Sequence, residues 1–371
     1  RGTVAENRWK IHKFGGSSLA DAACFRRVAG IILDMPESRD GVVVSAMGGL
    51  TDALIHLAVL AERDDESYAA ELDKVGDRYA ACAKDLLQGD HLVPVLDAWS
   101  KDAEDVRDVL KAIALVKSAP QRSRDVVAGY GEIWSARLLA AYLGQEAPER
   151  GGTWVDAREV VTVHETELGP TVLWDASQTK FESALPADFS GIAVITGFIA
   201  TDQDGLPTTL GRNGSDYSAA IFAALSDASA LSIWTDVDGV MSADPNRVPE
   251  AQVIDQLTYN EAMELAYFGA KVIHPQTLSP VIKKNIPLWI RNSHNPEHPG
   301  SRIAADAARI DNIKGITAIG GMALVNLEGS GMIGVPGTAD RLFGALKNAG
   351  VSVTLISQAS SEHSICIAVS Y

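Results

Sequence analysis

The stretch KFGGSS, Lys13 to Ser18, combines a cation, two glycines and two hydroxyls where a short strand should meet a helix. The alternating apolar residues of WKIHKF predict the strand, and the run LADAACFRRVAGIILDM predicts the helix. Glycines let backbone N–H groups approach a phosphate closely, and a lysine adds a point charge. Because the Walker pattern is absent, an ordinary strand-to-helix turn and a phosphate site both stay open here.

A second polar loop, GRNG, precedes the apolar run that ends at Leu225. Ser215 is placed to cap a helix beginning there, and Asp216 lies in its first turn, where a carboxylate is favourable. These roles leave Arg212 unexplained. An arginine beside glycines at a helix start is suited to hold a carboxylate or a phosphate.

A third candidate lies where the apolar run LSIW ends on Thr235 and Asp236. Polar residues at the carboxyl ends of parallel strands lie where open α/β sheets bind ligands. A calcium loop is excluded because no glutamate stands at the twelfth position, whereas a plain loop stays open. From the residues alone, Glu132 and Lys271 are more typical of surface groups than of catalytic ones.

Composition limits the classes of function. With 371 residues, 46% of them hydrophobic, the chain can bury a large core. Its net charge of −16 argues against nucleic acid and anionic membranes as partners. The sequence has no run long enough to span a membrane and no signal-peptide core, so we expect a cytoplasmic protein. Neither the cysteines nor the histidines have metal-site spacing, and no metal ligand is assigned.

The apolar periodicity predicts an α/β fold with a mainly parallel sheet. Residues 51–144 read as helices with one apolar stripe each. Strands are expected at Val42–Ala46, Thr153–Ala157, Ala193–Ala200, Leu231–Val237 and Pro287–Asn292.

A polar, proline-rich stretch from Asn292 to Asp306 predicts a boundary. The pattern that follows is strand, helix, strand, strand, which leaves a sheet with an open edge. We therefore expect the sequence to be a fragment or to need a partner chain. GSGMIG at 329–334 matches a dinucleotide fingerprint, but Pro336 and the lack of an acidic residue after the next strand disfavour that site.

Seven motifs in order, KFGGSS, VVVSAMGGLTD, GYGE, ITGFIA, TTLGRNGSDYSAA, WTDVDGV and FGAKVIHP, resemble the aspartokinases of the amino acid kinase family. The motifs are most similar to the kinase portion of bifunctional aspartokinase–homoserine dehydrogenases. The resemblance implies an amino acid kinase-like three-layer sandwich with a mainly parallel central sheet over residues 1–302. A partial, ferredoxin-like ACT regulatory domain is expected over residues 303–371.

The resemblance also implies an activity. An aspartokinase uses ATP and Mg²⁺ to phosphorylate the side-chain carboxylate of L-aspartate, giving 4-phospho-L-aspartate, the first step toward lysine, threonine and methionine. Feedback control by threonine or lysine at the ACT region is expected, in loops at 328–338 and 352–362. The open ACT sheet predicts a homodimer or a larger homo-oligomer.

Site roles follow from the same resemblance. Lys13 and Asp216 are expected to be catalytic, Lys13 neutralising charge on the transferred phosphoryl group and Asp216 orienting Lys13 or approaching the magnesium. The residues expected to bind aspartate are Ser45, Thr51, Glu132, Phe198, Arg212 and Ser215. The residues expected to bind ATP are Lys13, Gly15, Gly16, Ser17, Thr235, Asp236, Met241 and Lys271.

Two positions depart from the family pattern after TDVDG. The family commonly has a tyrosine near the adenine and an arginine near the phosphates, where this chain has Met241 and Asn246. Arg247 could replace the arginine by a one-residue shift. Two alternatives therefore stay open: another amino acid kinase, acting on acetylglutamate, glutamate or a nucleotide monophosphate, and a non-catalytic sensor of amino acids and nucleotides.

Overall fold

The computed structural model of the chain describes residues 8–35, 39–167, 169–267, 273–308, 313–329, 335–358 and 364–370, with only the backbone of 276 and 277. Lys271 and the fingerprint-like residues 330–334 lie outside these ranges. The chain divides into two compact units, one ending at Ile316 and the other beginning at Thr317.

The first unit is an alternation of strands and helices. Its strands are β1 (Trp9–Phe14), β2 (Arg39–Val44), β3 (Gly152–Val155), β4 (Thr162–Thr166), β5 (Gly169–Val172), β6 (Ile192–Thr196), β7 (Ile199–Asp202), β8 (Pro207–Thr209), β9 (Ala230–Thr235), β10 (Gln256–Leu257), β11 (Leu288–Asn292) and β12 (Ser301–Ile303). Its helices are α1 (Ala22–Leu33), α2 (Leu50–Glu62), α3 (Ser67–Leu86), α4 (Leu92–Val116), α5 (Gln121–Glu146), α6 (Trp174–Ala184), α7 (Gly214–Leu225), α8 (Tyr259–Tyr267) and α9 (Pro275–Lys283).

Eight of these strands form the central sheet, in the order β10-β12-β11-β9-β1-β2-β6-β3. Every neighbouring pair runs parallel except β11 and β12. The inner strands are continuous apolar runs with buried side chains, as expected for a parallel sheet covered on both faces. The predicted α/β fold with a mainly parallel sheet is confirmed, and the carboxyl ends of β11, β9, β1, β2 and β6 meet at one edge.

The strand predicted over Ala193–Ala200 is wrong as a single element. It is two strands, β6 in the central sheet and β7 in a small sheet of order β5-β4-β7-β8. The chain turns between them at Phe198, whose φ of 69° lies in the left-handed region. Apart from Thr196 and Gly197 the run is apolar, and the hydrogen bond that fixes the turn comes from a helix distant in sequence.

The predicted helical region is confirmed as α2 to α5, and an aromatic cluster holds it together. Tyr79 donates from its hydroxyl to the carbonyl oxygen of Trp134 at 3.0 Å, and the Trp134 indole donates to Asp102 at 3.1 Å. Arg137 forms an ion pair with the same carboxylate. These contacts fix the middle of α5, two residues from Glu132.

The second unit is a three-stranded antiparallel sheet with one helix, as predicted. Its elements are β13 (Met322–Glu328), α10 (Thr338–Asn348), β14 (Val353–Gln358) and β15 (Ser364–Ser370), with sheet order β13-β15-β14. Leu342, Phe343 and Leu346 of α10 pack against Ile365 and Ile367 of β15. The helix therefore covers the central strand of this sheet.

The first unit continues past β12. Lys314 forms a 2.9 Å ion pair with Glu261 on α8, and the backbone N–H of Ile316 donates to the carbonyl oxygen of Ser242. These contacts keep the segment after Ile303 with the central sheet. In the described part of the chain, no helix is both long enough and apolar enough to cross a membrane.

Candidate active site

A cavity of about 370 Å³ lies where β2 and β6 end and α2 and α7 begin. All six residues expected to bind aspartate line it, together with Gly16. Five different segments of the chain supply these residues. The fold therefore brings together side chains that are up to 170 residues apart, as for Ser45 and Ser215.

The glycine loop after β1 presents a lysine to α7. Lys13 lies on the sheet face that carries α7, and its Nζ is 2.6 Å from Oδ1 of Asp216, with both side chains largely buried. A Cβ added at Gly15 would lie 3.4 Å from the same Nζ. The lysine is thus held at the strand tip by a carboxylate, with bare backbone beside it, as anion binding at a glycine loop requires.

Two glycine loops meet at the edge of the cavity. A Cβ at Gly16 would lie 3.1 Å from the carbonyl oxygen of Ala46, and a Cβ at Gly48 would lie 3.0 Å from the carbonyl oxygen of Gly16. At these distances a Cβ would be accommodated only if the neighbouring backbone moved, so glycine is favoured at both positions. The reason is that two backbones approach each other here.

Glu132 is a buried carboxylate that opens onto the cavity. Its side chain is 3% exposed, Oε1 accepts a 3.4 Å bond from the backbone N–H of Ala46, and Oε2 has no hydrogen-bond partner among the described residues. Burial raises the pKa of Glu132 to about 8, because an apolar surrounding disfavours the charged form. A buried oxygen without a partner is costly unless a ligand supplies a donor or a positive charge.

The start of α7 closes another side of the cavity. Ser215 does not cap the helix as expected: the cap position is Asn213, with a left-handed backbone and no side-chain bond. Ser215 instead is the second residue of α7, and its hydroxyl is 2.8 Å from that of Ser45. Arg212 is exposed at the rim and forms no ion pair among the described residues, so its guanidinium is available to an anion.

A serine outside the cavity fixes the Phe198 turn. The backbone N–H of Phe198 donates to the hydroxyl of Ser218 at 2.9 Å, and that hydroxyl donates to the carbonyl oxygen of Gly214 at 2.9 Å. Ser218 is completely buried. It therefore ties the left-handed turn after β6 to the first turn of α7, and both segments line the cavity.

Ser218→Ala is expected to raise KM for the cavity's substrate by about fivefold, because losing one buried hydrogen bond costs about 1 kcal/mol and frees the Phe198 turn. KM for the second substrate, bound at other strand ends, should change less. Steady-state kinetics with both substrates varied provides the measurement. Ser226→Ala is the matched control, since Ser226 also bonds a carbonyl oxygen of α7, that of Phe222, but at the far end of the helix. Equal effects of the two substitutions on KM would argue against this positioning role.

The neighbouring strand ends form a second polar group. Thr235 and Asp236 follow β9, and the Thr235 hydroxyl donates to the Asp236 carboxylate at 3.1 Å. Ser293, after β11, donates its backbone N–H to the carbonyl oxygen of Thr235, and its hydroxyl is 3.1 Å from that of Ser18 in the glycine loop. Gly15, Gly16 and Ser17 thus lie beside Thr235 and Asp236, as the sequence predicts for a common ligand.

The remaining predicted ATP residues are less closely tied to this group. Met241 pairs with Val253 in an antiparallel bridge after the β9 loop. Asn246 is exposed and donates from its backbone and side chain to Asp244, which makes a turn, and Arg247 is exposed next to it. Lys271 lies outside the described residues, so its predicted role stays a prediction.

The sequence missed several residues of the cavity. Met47, Gly49, Asp52 and Asn213 also line it. Asp52 is the most consequential, because it adds a second carboxylate in the first turn of α2. Asp52 ends the motif VVVSAMGGLTD. Its position in the same motif as Ser45, seven residues later, is the one feature of the sequence that could have predicted its place in the cavity. Over the described ranges, no group of three or more histidine, cysteine or acidic side chains could hold a metal ion.

Comparison with known proteins identifies the class of this α/β fold. The model of the amino acid kinase family matches residues 8–292, and an ACT domain model matches residues 325–371. The chain belongs to the amino acid kinase family. The expected resemblance to the kinase portion of bifunctional aspartokinase–homoserine dehydrogenases is confirmed by the relatives and structures below.

The relatives are bifunctional aspartokinase/homoserine dehydrogenases. Bifunctional aspartokinase/homoserine dehydrogenase 1 of maize, a chloroplast protein by name, is 43% identical to this chain over 373 residues. The match covers 97% of this chain and 40% of the relative. Enzyme 2 of Escherichia coli is 37% identical over 320 residues, which cover 86% of this chain and 38% of the relative. The chain thus spans about 40% of the length of such relatives.

Solved aspartokinase structures share the fold. Aspartokinase III of Escherichia coli in complex with aspartate and ADP is 28% identical, with a TM-score of 0.79 over 98% of this chain and 78% of that chain. The same enzyme in complex with lysine and aspartate gives a TM-score of 0.77 over 97% of this chain. The likeness extends over both units.

Proposed function

We propose that this chain is an aspartate kinase, transferring the γ-phosphoryl group of ATP to the side-chain carboxylate of L-aspartate. The observation that carries the proposal is the unpartnered, buried Glu132 oxygen in a cavity that Arg212 also lines. A zwitterionic amino acid fits this pair, with its ammonium group on Glu132 and its α-carboxylate on Arg212. Ser45, Thr51 and Ser215 offer hydroxyls to the remaining oxygens, and Phe198 packs beside the substrate.

The phosphoryl transfer needs positioning and charge stabilisation more than a base. The side-chain carboxylate of aspartate is already ionised at neutral pH. One of its oxygens attacks the γ-phosphorus, the bond from that phosphorus to the β,γ-bridging oxygen breaks, and ADP leaves. Lys13, held by Asp216 beside Gly15, neutralises the charge that spreads over the transferred group.

ATP is proposed to occupy the adjoining strand ends. Gly15, Gly16 and Ser17 offer backbone and hydroxyl donors to its phosphates, with Lys271 as a further cation, while Thr235 and Asp236 face the nucleoside and Met241 covers the base. Magnesium in kinases is held mainly by ATP phosphates and one or two carboxylates. Asp216, already paired with Lys13, is the carboxylate proposed to approach it, and the ion would supply charge neutralisation.

The test is a hydroxamate assay. Incubation of the chain with Mg-ATP, L-aspartate and hydroxylamine should yield aspartyl hydroxamate. L-Glutamate, N-acetylglutamate and UMP in place of aspartate separate this activity from those of other amino acid kinases. Hydroxamate from glutamate or acetylglutamate, or ADP release with UMP, together with no hydroxamate from aspartate, would overturn the proposal. Binding of both ATP and threonine without any turnover of aspartate would favour a sensor instead.

Regulation and assembly follow as further proposals. We infer that the second unit contributes to binding an amino acid effector, threonine or lysine, which a shift in the melting temperature would detect. β13 and β14 each pair with β15 on one side, and their outer edges pair with no other strand of the described chain. Pairing of two chains through such an edge predicts a homodimer or larger assembly, which sedimentation measures. The cytoplasm stays the predicted compartment, although the plant relatives are chloroplast proteins by name.

A further inference from the structure

A second cavity, also of about 370 Å³, lies in the first unit on β1, β9 and β11. Lys10 and His12 of β1 line it, whereas Lys13, the next residue along the strand, points to α7. Since successive side chains of a strand face opposite sides, this cavity lies on the sheet face away from α7. We call it the Lys10–Arg291 cavity, after the two cations in its wall.

Small side chains make the hollow. Ala230 and Ser232 of β9 pair in register with Lys10 and His12 of β1, and Ser232 pairs with Trp289 of β11. The cavity therefore lies over the small side chains of β9, between the larger side chains of β1 and β11. A hollow of this size beside charged groups leaves room for a small ligand.

The two cations of the cavity wall form no ion pair with a described carboxylate, although the charge of Glu297 acts on Arg291 from beyond ion-pair distance. Within the described ranges, neither Lys10 nor Arg291 forms an ion pair, although the whole chain carries a net charge of −16. The nearby carboxylate of Asp40 is fully buried and already engaged, 3.1 Å from Arg150 and 3.5 Å from His12. Positive charge thus concentrates in one hollow of an otherwise acidic protein.

Arg291 is held in place but not fully bonded. Its guanidinium lies 4.6 Å from the centre of the Trp234 ring and donates to the carbonyl oxygen of Pro296 at 3.2 Å. Its Nε is buried and finds no hydrogen-bond partner in the part of the chain that the structure describes. Burial lowers the pKa of Arg291, so the positive charge is kept at a cost that an anion would relieve.

Apart from His12 and Ser232, the rest of the wall is apolar. Trp289 supplies an indole, and Met35 and Pro299 complete the side. We propose that the Lys10–Arg291 cavity binds a small organic anion, whose carboxylate or phosphate group pairs with Lys10 and Arg291 while a planar apolar part lies against Trp289. This ligand is separate from the proposed aspartate and ATP, because the cavity lies on the other face of the sheet.

Titration calorimetry with three probes tests the proposal. Benzoate and phenyl phosphate carry the two head groups on the same ring, and benzamide carries the ring without charge. Saturating L-aspartate and ADP are present throughout, so that the first cavity is occupied. We expect saturable binding of at least one anion, with the tighter probe identifying the head group, and at least tenfold weaker binding of benzamide.

Four substitutions locate the binding. Lys10→Gln removes a charge and Ala230→Met fills the hollow, and each should weaken binding about tenfold, the effect of losing about 1.4 kcal/mol. Lys101→Gln, at an exposed lysine of α4, should change nothing. Arg212→Gln should also leave probe binding unchanged, which separates this site from the aspartate cavity even if the proposed kinase activity fails.

Two outcomes would overturn the proposal. One is the absence of saturable binding for both anions. The other is binding that Lys10→Gln and Ala230→Met leave unaltered, or that Arg212→Gln abolishes, because the probe would then occupy another place. Melting temperatures of all four variants show that each is folded, so a loss of binding cannot come from unfolding.

Discussion

Replacing Lys13 with alanine is expected to lower kcat for aspartate phosphorylation by on the order of 10³-fold, the usual loss when one preorganised charge is removed from a transferring group. KM for aspartate should change little, since Lys13 is not among the residues that line the aspartate cavity. Initial rates of ADP release, with hydroxamate as the product check, provide the measurement.

The controls for this prediction exploit the Lys13–Asp216 pair. Lys101→Ala removes a lysine of equal charge from an exposed face of α4 and should keep the wild-type rate. The melting temperature of the Lys13 variant shows whether leaving Asp216 unpaired disturbs the fold. A folded Lys13→Ala enzyme with more than about a tenth of the wild-type kcat would mean that another group carries the charge stabilisation.

Glu132→Gln is expected to lower kcat/KM for aspartate by about 10²- to 10³-fold, because removing one partner of a buried charge pair costs about 3–4 kcal/mol. The amide keeps the size of the side chain but offers the substrate ammonium no negative charge. kcat/KM for the wild type should rise with pH through the Glu132 pKa of about 8, since only the ionised form binds the ammonium group. The variant should lose that rise.

Glu132 is expected to affect stability in the opposite direction: ionisation that favours substrate binding disfavours the folded state. The folded-state pKa of Glu132, about 8, lies above its ordinary value, so the fold favours the protonated carboxyl. The stability that Glu132 contributes is full below its unfolded pKa and is lost as pH rises through about 8. Above that pH, Glu132→Gln should be more stable than the wild type by roughly 1–3 kcal/mol.

Thermal unfolding without substrate at about pH 6 and about pH 9 measures this difference, because the two values bracket the titration. The gap between variant and wild type should widen at the higher pH. If the variant is less stable than the wild type at both pH values, Glu132 has a stabilising partner in the fold. The proposal that Glu132 is a substrate-binding group whose burial destabilises the fold would then be wrong. Leu54→Ala, in the packed core of α2, is a control that should destabilise the protein at either pH.

The sequence predicted the scaffold of the site well because simple periodicity sets it. β1 has the predicted bounds, since WKIHKF alternates cleanly and ends at a glycine pair. The helices between residues 51 and 144 follow from their apolar stripes. Parallel strands then bring all their carboxyl ends to one edge, so Lys13 and Thr235 meet without any local signal linking them.

Features that depend on distant packing could not be read from the sequence. The residues around Glu132 do not reveal its burial, which the helices packed around α5 create. The turn at Phe198 depends on Ser218, twenty residues later, and the expected cap at Ser215 moved to Asn213 because the Ser215 hydroxyl lies against Ser45. The hollow beside Arg291 needs three strands in register, which no single segment encodes.

A crystal structure with L-aspartate and a non-hydrolysable ATP analogue tests the proposed kinase site most directly. We expect the substrate ammonium group within hydrogen-bond distance of Glu132, the α-carboxylate on Arg212, and the γ-phosphate beside Lys13, with the side-chain carboxylate of aspartate directed at it. Aspartate bound away from Glu132, or a triphosphate remote from the loop that follows β1, would contradict the proposed site.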